Sequence, residues 1–230
     1  MTSGSGPGPL AVLGGAFDPV HHGHLRAAVE LQAACELTEL RLVPSANPPH
    51  RAAHVAAGEL RVQMLEAAIE GLQRVTIDRR ELQRAGPSYT VLTLRELRAE
   101  IGTRSLCMIV GMDAFLGLPQ WRDWLELIEL AHIIVAHRPG WQPPRVGVLG
   151  ELVAARQAAS ATALHADPAG RVLMKEITQL QISSSTIRDQ LWRGASPRYL
   201  MPDAALQLAL QAGCYSAASA NTQEMPVHAE

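Results

Sequence analysis

"LAVLGGAFDPVHHGHLRAAVE", residues 10 to 30, contains the transition that decides how this chain folds. The apolar run LAVLGG stops at Gly14 and Gly15, and a short polar turn follows. From about Gly23 to Cys35, Leu25, Ala28, Val29 and Ala33 recur at helical spacing. The stretch therefore reads as a buried strand passing through a glycine turn into a helix. Glycines at 14 and 15 let a ligand approach the backbone where a side chain would obstruct it. His21 and His24 are three apart, so on a helical first turn they share a face. A helix N-terminus carries free N–H groups and a partial positive potential, which favour an anion. Two imidazoles there would add donors for phosphate oxygens, stabilising a phosphoryl-type transition state without a covalent step. A zinc site and a pair of histidines satisfied within the fold are the competing readings. No carboxylate or thiolate stands at a recognised metal-site spacing from them. His22 is expected to point away from both, and Asp18 to cap the turn or orient the site.

Working outward, strand-like and helix-like stretches alternate. ELRLVPS (39–45), RVTIDRREL (74–82), SLCMIVGMDAF (105–115), AHIIVAHRPG (131–140) and RVLMKEI (171–177) read as strands. Residues 58–72, 90–102, a Trp-containing segment before 131, 184–193 and 202–212 read as helices. On the 58–72 helix, Leu60, Met64, Leu65 and Ala68 form the apolar side. Near-continuous apolar strands between amphipathic helices imply a parallel sheet covered on both faces. In such sheets ligands bind at the carboxyl ends of the strands, where the strand order reverses. Gly14–His24, Pro44–Arg51, Gly111–Asp113, His137–Gly140 and Ile182–Arg188 all follow predicted strands, as one composite site requires. The segment 141–170 opens Pro-rich, turns alanine-rich, and is a candidate cap or lid insertion. Residues 1–9 and 216–230 lack apolar periodicity and are expected to be tails around a single domain, 10–215.

The bulk properties exclude several classes. A formal net charge of −2 over 230 residues gives no global reason to bind nucleic acid or an anionic membrane. No apolar run approaches a membrane span, and the first residues lack the pattern of a signal peptide. Cys35, Cys107 and Cys214, odd in number and widely spaced, read as reduced cysteines of a cytoplasmic protein.

GGAFDPVHHGH resembles the GGxFDPxHxGH signature of the bacterial nicotinate-nucleotide adenylyltransferases, which belong to the HxGH nucleotidyltransferase superfamily. PSANPPHR (44–51) is similar to that family's PxxxPPH(K/R) stretch, and PSYTVLTL (87–94) to its PSYTxxTL segment. GMDAFLGLPQW (111–121) resembles GxDxLxxLxxW, HRPG (137–140) resembles RPG, and ISSSTIR (182–188) resembles IS(S/A)TxIR. The blocks keep the family's order and cover nearly the whole chain between the tails.

The resemblance implies a Rossmann-like doubly wound parallel sheet with a small C-terminal helical subregion. It also implies transfer of the adenylyl group of ATP to nicotinate mononucleotide by direct in-line attack, giving nicotinate adenine dinucleotide and pyrophosphate. His21, His24, Arg51 and Arg188 would be catalytic. Gly14, Gly15, Phe17, Arg138, Ser183 and Ser184 would join His21, His24 and Arg188 around ATP. Asp18, His50, Arg51, Tyr89, Thr90, Asp113, Trp121 and Arg122 would face the mononucleotide, Trp121 stacking on the pyridine ring. Taken alone, the serines read as N-caps and NPPHR as a solvated turn. Mg2+ is implied as a cofactor held mainly by ATP phosphates. Arg122 stands where relatives often carry Tyr or His, and is expected to favour the acid over the amide. A phosphopantetheine-type transferase would share His21, Gly23 and His24 but have no reason to keep PSYT and Trp121. The further alternatives are use of nicotinamide mononucleotide, a nucleotide-binding regulator without catalysis, and a zinc-dependent hydrolase. The sequence leaves the oligomeric state open.

Overall fold

The computed structural model describes residues 7–47 and 54–216. Strands β1 (Leu10–Gly15), β2 (Glu39–Pro44), β3 (Val75–Ile77), β4 (Leu106–Gly111), β5 (His132–His137) and β6 (Val172–Glu176) form one sheet. Their order is β3-β2-β1-β4-β5-β6, and each neighbouring pair is parallel. The connecting helices are α1 (His22–Ala34), α2 (Gly58–Ile69), α3 (Arg80–Gln83), α4 (Thr90–Ile101), α5 (Met112–Leu116), α6 (Trp124–Leu130) and α7 (Gly147–Arg156). Two more, α8 (Ser184–Trp192) and α9 (Asp203–Ala212), follow the last strand.

The strands are apolar throughout because both faces of the sheet are covered. Leu106, Met108 and Val110 of β4 join Val91 and Leu94 of α4, Leu127 of α6 and Val153 of α7 in one core. Cys107 and Ile109, pointing the other way, join Leu31 of α1, Met64 of α2, Ile187 of α8 and Leu206 of α9. Each fully buried leucine stabilises the fold by about 1.5–3 kcal/mol. The arrangement is the expected Rossmann-like one, and the C-terminal helices share the core with α1 and α2 rather than standing apart. The order reverses between β1 and β4, which places the crevice at the carboxyl ends of those strands.

Several local expectations are corrected. The predicted strand 74–82 ends at Ile77, because Asp78 accepts the Arg80 N–H at 3.1 Å and starts α3. The run 105–115 breaks at Gly111, whose extended backbone caps α5. On α1 the buried residues are Ala28 and Leu31, and Val29 is exposed. On α2 the buried face includes Arg61 beside Met64 and Leu65. From Gly147 onward the candidate lid is the crossover that joins β5 to β6. Leu149, Val153 and Leu164 are buried in the two cores, and the Ala158 N–H bonds to the Val172 carbonyl at 2.8 Å. The ordered fold reaches slightly past the expected bounds at both ends: Pro9 accepts the Thr38 N–H at 3.1 Å, and Ser216 donates to the Gly213 carbonyl. Residues 1–6 and 217–230, most of the two predicted tails, lie outside the described residues.

Candidate active site

The turn after β1 is built around two rings that need the absence of two side chains. A Cβ on Gly15 would lie 3.0 Å from the Phe17 ring, and one on Gly23 would lie 3.0 Å from both Cε1 and Nδ1 of His21. Gly14, by contrast, faces open space. Phe17 sits in the left-handed region at φ +48 and is buried. Its ring meets His24 edge-on, with centroids 5.0 Å apart. His21 is the N-cap residue of α1, extended at φ −147 and ψ 168. Its N–H donates to Nδ1 of His24 at 3.3 Å, and the two imidazoles stack with centroids 3.6 Å apart. The shared face expected from their spacing is therefore a stack.

His21 is 5% exposed, and its Nδ1 is buried without a hydrogen-bond partner among the described residues. Burial, followed by the neighbouring His22, pushes its pKa down to about 4, so it is neutral at pH 7. A phosphate arriving at the α1 N-terminus would act oppositely, favouring the protonated imidazole. The His21 ring is thus uncharged until an anion reaches it.

The N-terminus of α8 is tied directly to this turn. Ser183 caps the helix, accepting the Thr186 N–H at 3.1 Å. Ser184 Oγ donates to the Pro19 carbonyl at 2.8 Å, and Arg188 Nη1 donates to the Asp18 carbonyl at 2.7 Å. The capping role weighed for these serines falls to Ser183 alone, and Ser184 and Arg188 are held against the histidine turn.

Asp18 faces inward. It is 3% exposed, and its carboxylate accepts the Val55 N–H at 2.7 Å, the Ala56 N–H at 3.1 Å and the Tyr215 hydroxyl at 2.6 Å. Its expected placement against the mononucleotide is thus corrected: a carboxylate with three protein donors in the interior braces the turn. Ser45 ties β2 to β1 through its N–H to the Gly15 carbonyl at 2.9 Å, and its hydroxyl lies 3.2 Å from His54 Nε2.

On the other side, Ser88 accepts the N–H groups of Ala46 and Asn47 at 3.0 and 3.1 Å, docking PSYT onto the loop after β2. Tyr89 is the N-cap residue of α4 and Thr90 its first residue. Arg122 lies 4.8 Å from the Tyr89 ring centroid and 3.8 Å from the Asp123 carboxylate. Trp121, half-buried, packs its apolar body against the α4–α6 core. Asp113 and Arg138 are exposed at the ends of β4 and β5. His50 and Arg51 lie outside the described residues. Among the described residues no cluster of His, Cys, Asp and Glu could hold a metal ion.

Sequence reading missed three residues beneath the site. Arg61 is 2% exposed and donates to the Ala16 carbonyl at 2.7 Å, yet it sits in a helix that reads as amphipathic. Tyr215 lies at the edge of a predicted tail, and His54 in a turn. Their only signal was a large polar side chain in an apolar stretch.

The cytidylyltransferase-like family model matches residues 12–190. The "Probable nicotinate-nucleotide adenylyltransferase" of Hahella chejuensis is 47% identical over 214 residues, 92% of this chain and 98% of that protein. The protein of the same description from Halorhodospira halophila is 46% identical over 206 residues, 90% of this chain and 94% of that protein. Among solved structures, the Plasmodium falciparum nicotinic acid mononucleotide adenylyltransferase complexed with NaAD has a TM-score of 0.69 at 14% identity. It is matched over 90% of this chain and 97% of that one, a likeness of fold. With that coverage and identity, laid over stacked imidazoles at a helix N-terminus, the chain belongs to the nicotinate-nucleotide adenylyltransferases, a family of nucleotidyltransferase enzymes.

Proposed function

We propose that this enzyme joins ATP to nicotinate mononucleotide, forming nicotinate adenine dinucleotide and releasing pyrophosphate in NAD biosynthesis. The observation that carries the reading is the His21–His24 stack, with His21 buried, held at the N-terminus of α1 beside that of α8. The 5′-phosphate of the mononucleotide attacks the α-phosphorus of ATP. One P–O bond forms as the bond to the bridging oxygen of pyrophosphate breaks. The nucleophile is already anionic, so the step needs positioning and charge neutralisation rather than a general base or a covalent intermediate.

His21 and His24 contact the phosphates and the charge developing at the α-phosphorus, with Gly14, Gly15 and Phe17 bordering the nucleotide. Ser183, Ser184 and Arg188 receive the β- and γ-phosphates, and Arg138 approaches from the end of β5. His50 and Arg51 reach the mononucleotide phosphate, Asp113 its ribose, Trp121 its ring, and Tyr89, Thr90 and Arg122 its carboxylate. Asp113 is the one carboxylate assigned to the substrates, and no group of three or more metal-ligating side chains stands among the described residues. The ion would therefore be held mainly by ATP phosphates and water, and would supply charge neutralisation on the leaving group. No helix among the described residues is long and apolar enough to cross a membrane. The three cysteines are free thiols, in keeping with a cytoplasmic location.

The test is an assay of ATP with nicotinate and, separately, nicotinamide mononucleotide, measuring pyrophosphate and identifying the dinucleotide. Pyrophosphate release with the acid supports the reading. ATP binding without it points to a regulator.

A further inference from the structure

Taking the adenylyl transfer proposed above as the reaction, we propose that Tyr215, near the far end of the chain, is a positioning residue that acts through Asp18 on the histidine pair. The segment between β1 and α1 is gripped from several parts of the chain. Arg61 of α2 holds the Ala16 carbonyl, Arg188 of α8 the Asp18 carbonyl, and Ser184 the Pro19 carbonyl. The Asp18 carboxylate is held by the N–H groups of Val55 and Ala56 and by the Tyr215 hydroxyl. Buried carboxylates are tolerated only when such donors are in place.

Tyr215 reaches Asp18 across 197 residues because Gly213 ends α9 at φ +66, in the left-handed region, and turns the chain inward. The ring is then 4% exposed within the core shared by α1, α2 and α9. Burial and the adjoining Asp18 hold the phenol protonated far above neutral pH, so it is a permanent donor. Arg61 places a second buried charge close enough to feel Asp18.

Asp18 is flanked by the parts the chemistry uses. Phe17, its neighbour, is fixed in the left-handed region with its ring between Gly15 and His24. Three residues on is His21, whose ring fills the space left by Gly23. Close packing on both sides means a displaced carboxylate cannot be absorbed locally and is passed to the imidazoles. In a reaction driven by positioning, such a shift lowers the rate more than it lowers ground-state binding. Arg188 and Ser184 grip the same segment but belong to the proposed phosphate site. Tyr215 touches no substrate and acts only through Asp18.

Tyr215→Phe keeps the ring and removes the hydroxyl. Measured well below the melting temperature, kcat is expected to fall about tenfold while KM for ATP stays within about twofold. Leu206→Ala, in the same core but without a bond to Asp18, should lower Tm at least as far and leave kcat unchanged. In an Asp18→Asn background, Tyr215→Phe should add no further loss. Asp18→Asn also perturbs the clasp from its other end, and should show the same kcat-against-KM split if the phenylalanine variant cannot be purified. Wild-type kcat in Tyr215→Phe, a matching kcat loss in Leu206→Ala, or full additivity with Asp18→Asn each overturn the proposal. A wild-type enzyme that releases no pyrophosphate would instead overturn the reaction itself.

Discussion

The two sides of the crevice are built to different tolerances. The turn after β1 is sealed: its rings stack, Gly15 and Gly23 leave no slack, and its carbonyls are held from α2 and α8. The side formed by Tyr89 and Arg122 is open. The side chains of Arg122 and Asp123 are 56% and 46% exposed, and the guanidinium rests on the Tyr89 ring. An exposed cation–π contact is worth about 0.5–1 kcal/mol, far less than a preorganised set of buried donors at a developing charge. The contrast assigns rate to the sealed side and selectivity to the open one.

The largest effect should come from His24→Ala. It removes the proposed phosphate donor, the ring stacked on His21 and the acceptor of the His21 N–H. We expect kcat to fall by roughly 10^3-fold or more with the fold retained. Turnover near wild type would take His24 out of the chemistry. Gly23→Ala should come next, because its methyl group would press on the His21 ring at 3.0 Å and meet the Ile182 carbonyl at 3.6 Å. Alanine is the better helix former, so melting temperature should change little while kcat falls roughly 10- to 100-fold. Activity that tracks Tm would break the claim of a slack-free turn.

A third test uses pH. His21 has a folded pKa of about 4, against an ordinary 6.5. Below pH 6.5 the unfolded chain binds a proton that the folded one refuses, so stability falls as pH drops from 6.5 toward 4. The loss attributable to this group is at most about 3 kcal/mol. Denaturant unfolding at pH 7 and pH 4.5 should show a smaller drop for His21→Gln than for the wild type. An equal drop would mean that the imidazole is not sealed. The smallest effect belongs to the open side: Arg122→Ala should reduce the acid-over-amide ratio of kcat/KM only a few-fold, about 1 kcal/mol. No change in that ratio would remove Arg122 from selectivity.

Much of this was legible because the signals are local. The runs LAVLGG, LCMIVG and HIIVAH announce strands buried on both faces, and the spacing of His21 and His24 places them together at a helix start. Gly23 could be flagged as allowing close approach, although what approaches is the His21 ring, which only coordinates reveal. The errors also have local causes. RVTIDRREL looks like a long strand because Val75 and Ile77 alternate with polar residues, which masks the helix-start pattern of Asp78 with Glu81 three residues on. Likewise, the alanine-rich stretch after Trp141 carries the composition of a surface helix, while its burial depends on β5 and β6 lying side by side.

By itself the sequence determined the alternation of elements, the parallel sheet, the strand-end placement of the motifs and the family, because each follows from patterns within a few dozen residues. The tertiary structure decided what braces the reaction turn. Arg61 reads as one more polar position on an amphipathic helix, and Tyr215 as the last residue before a tail. They meet around Ala16 and Asp18 only once α2 and α9 pack on the same face of the sheet. Burial turns those two ordinary side chains into fixed donors, and burial is a property of the packed chain rather than of any stretch of it.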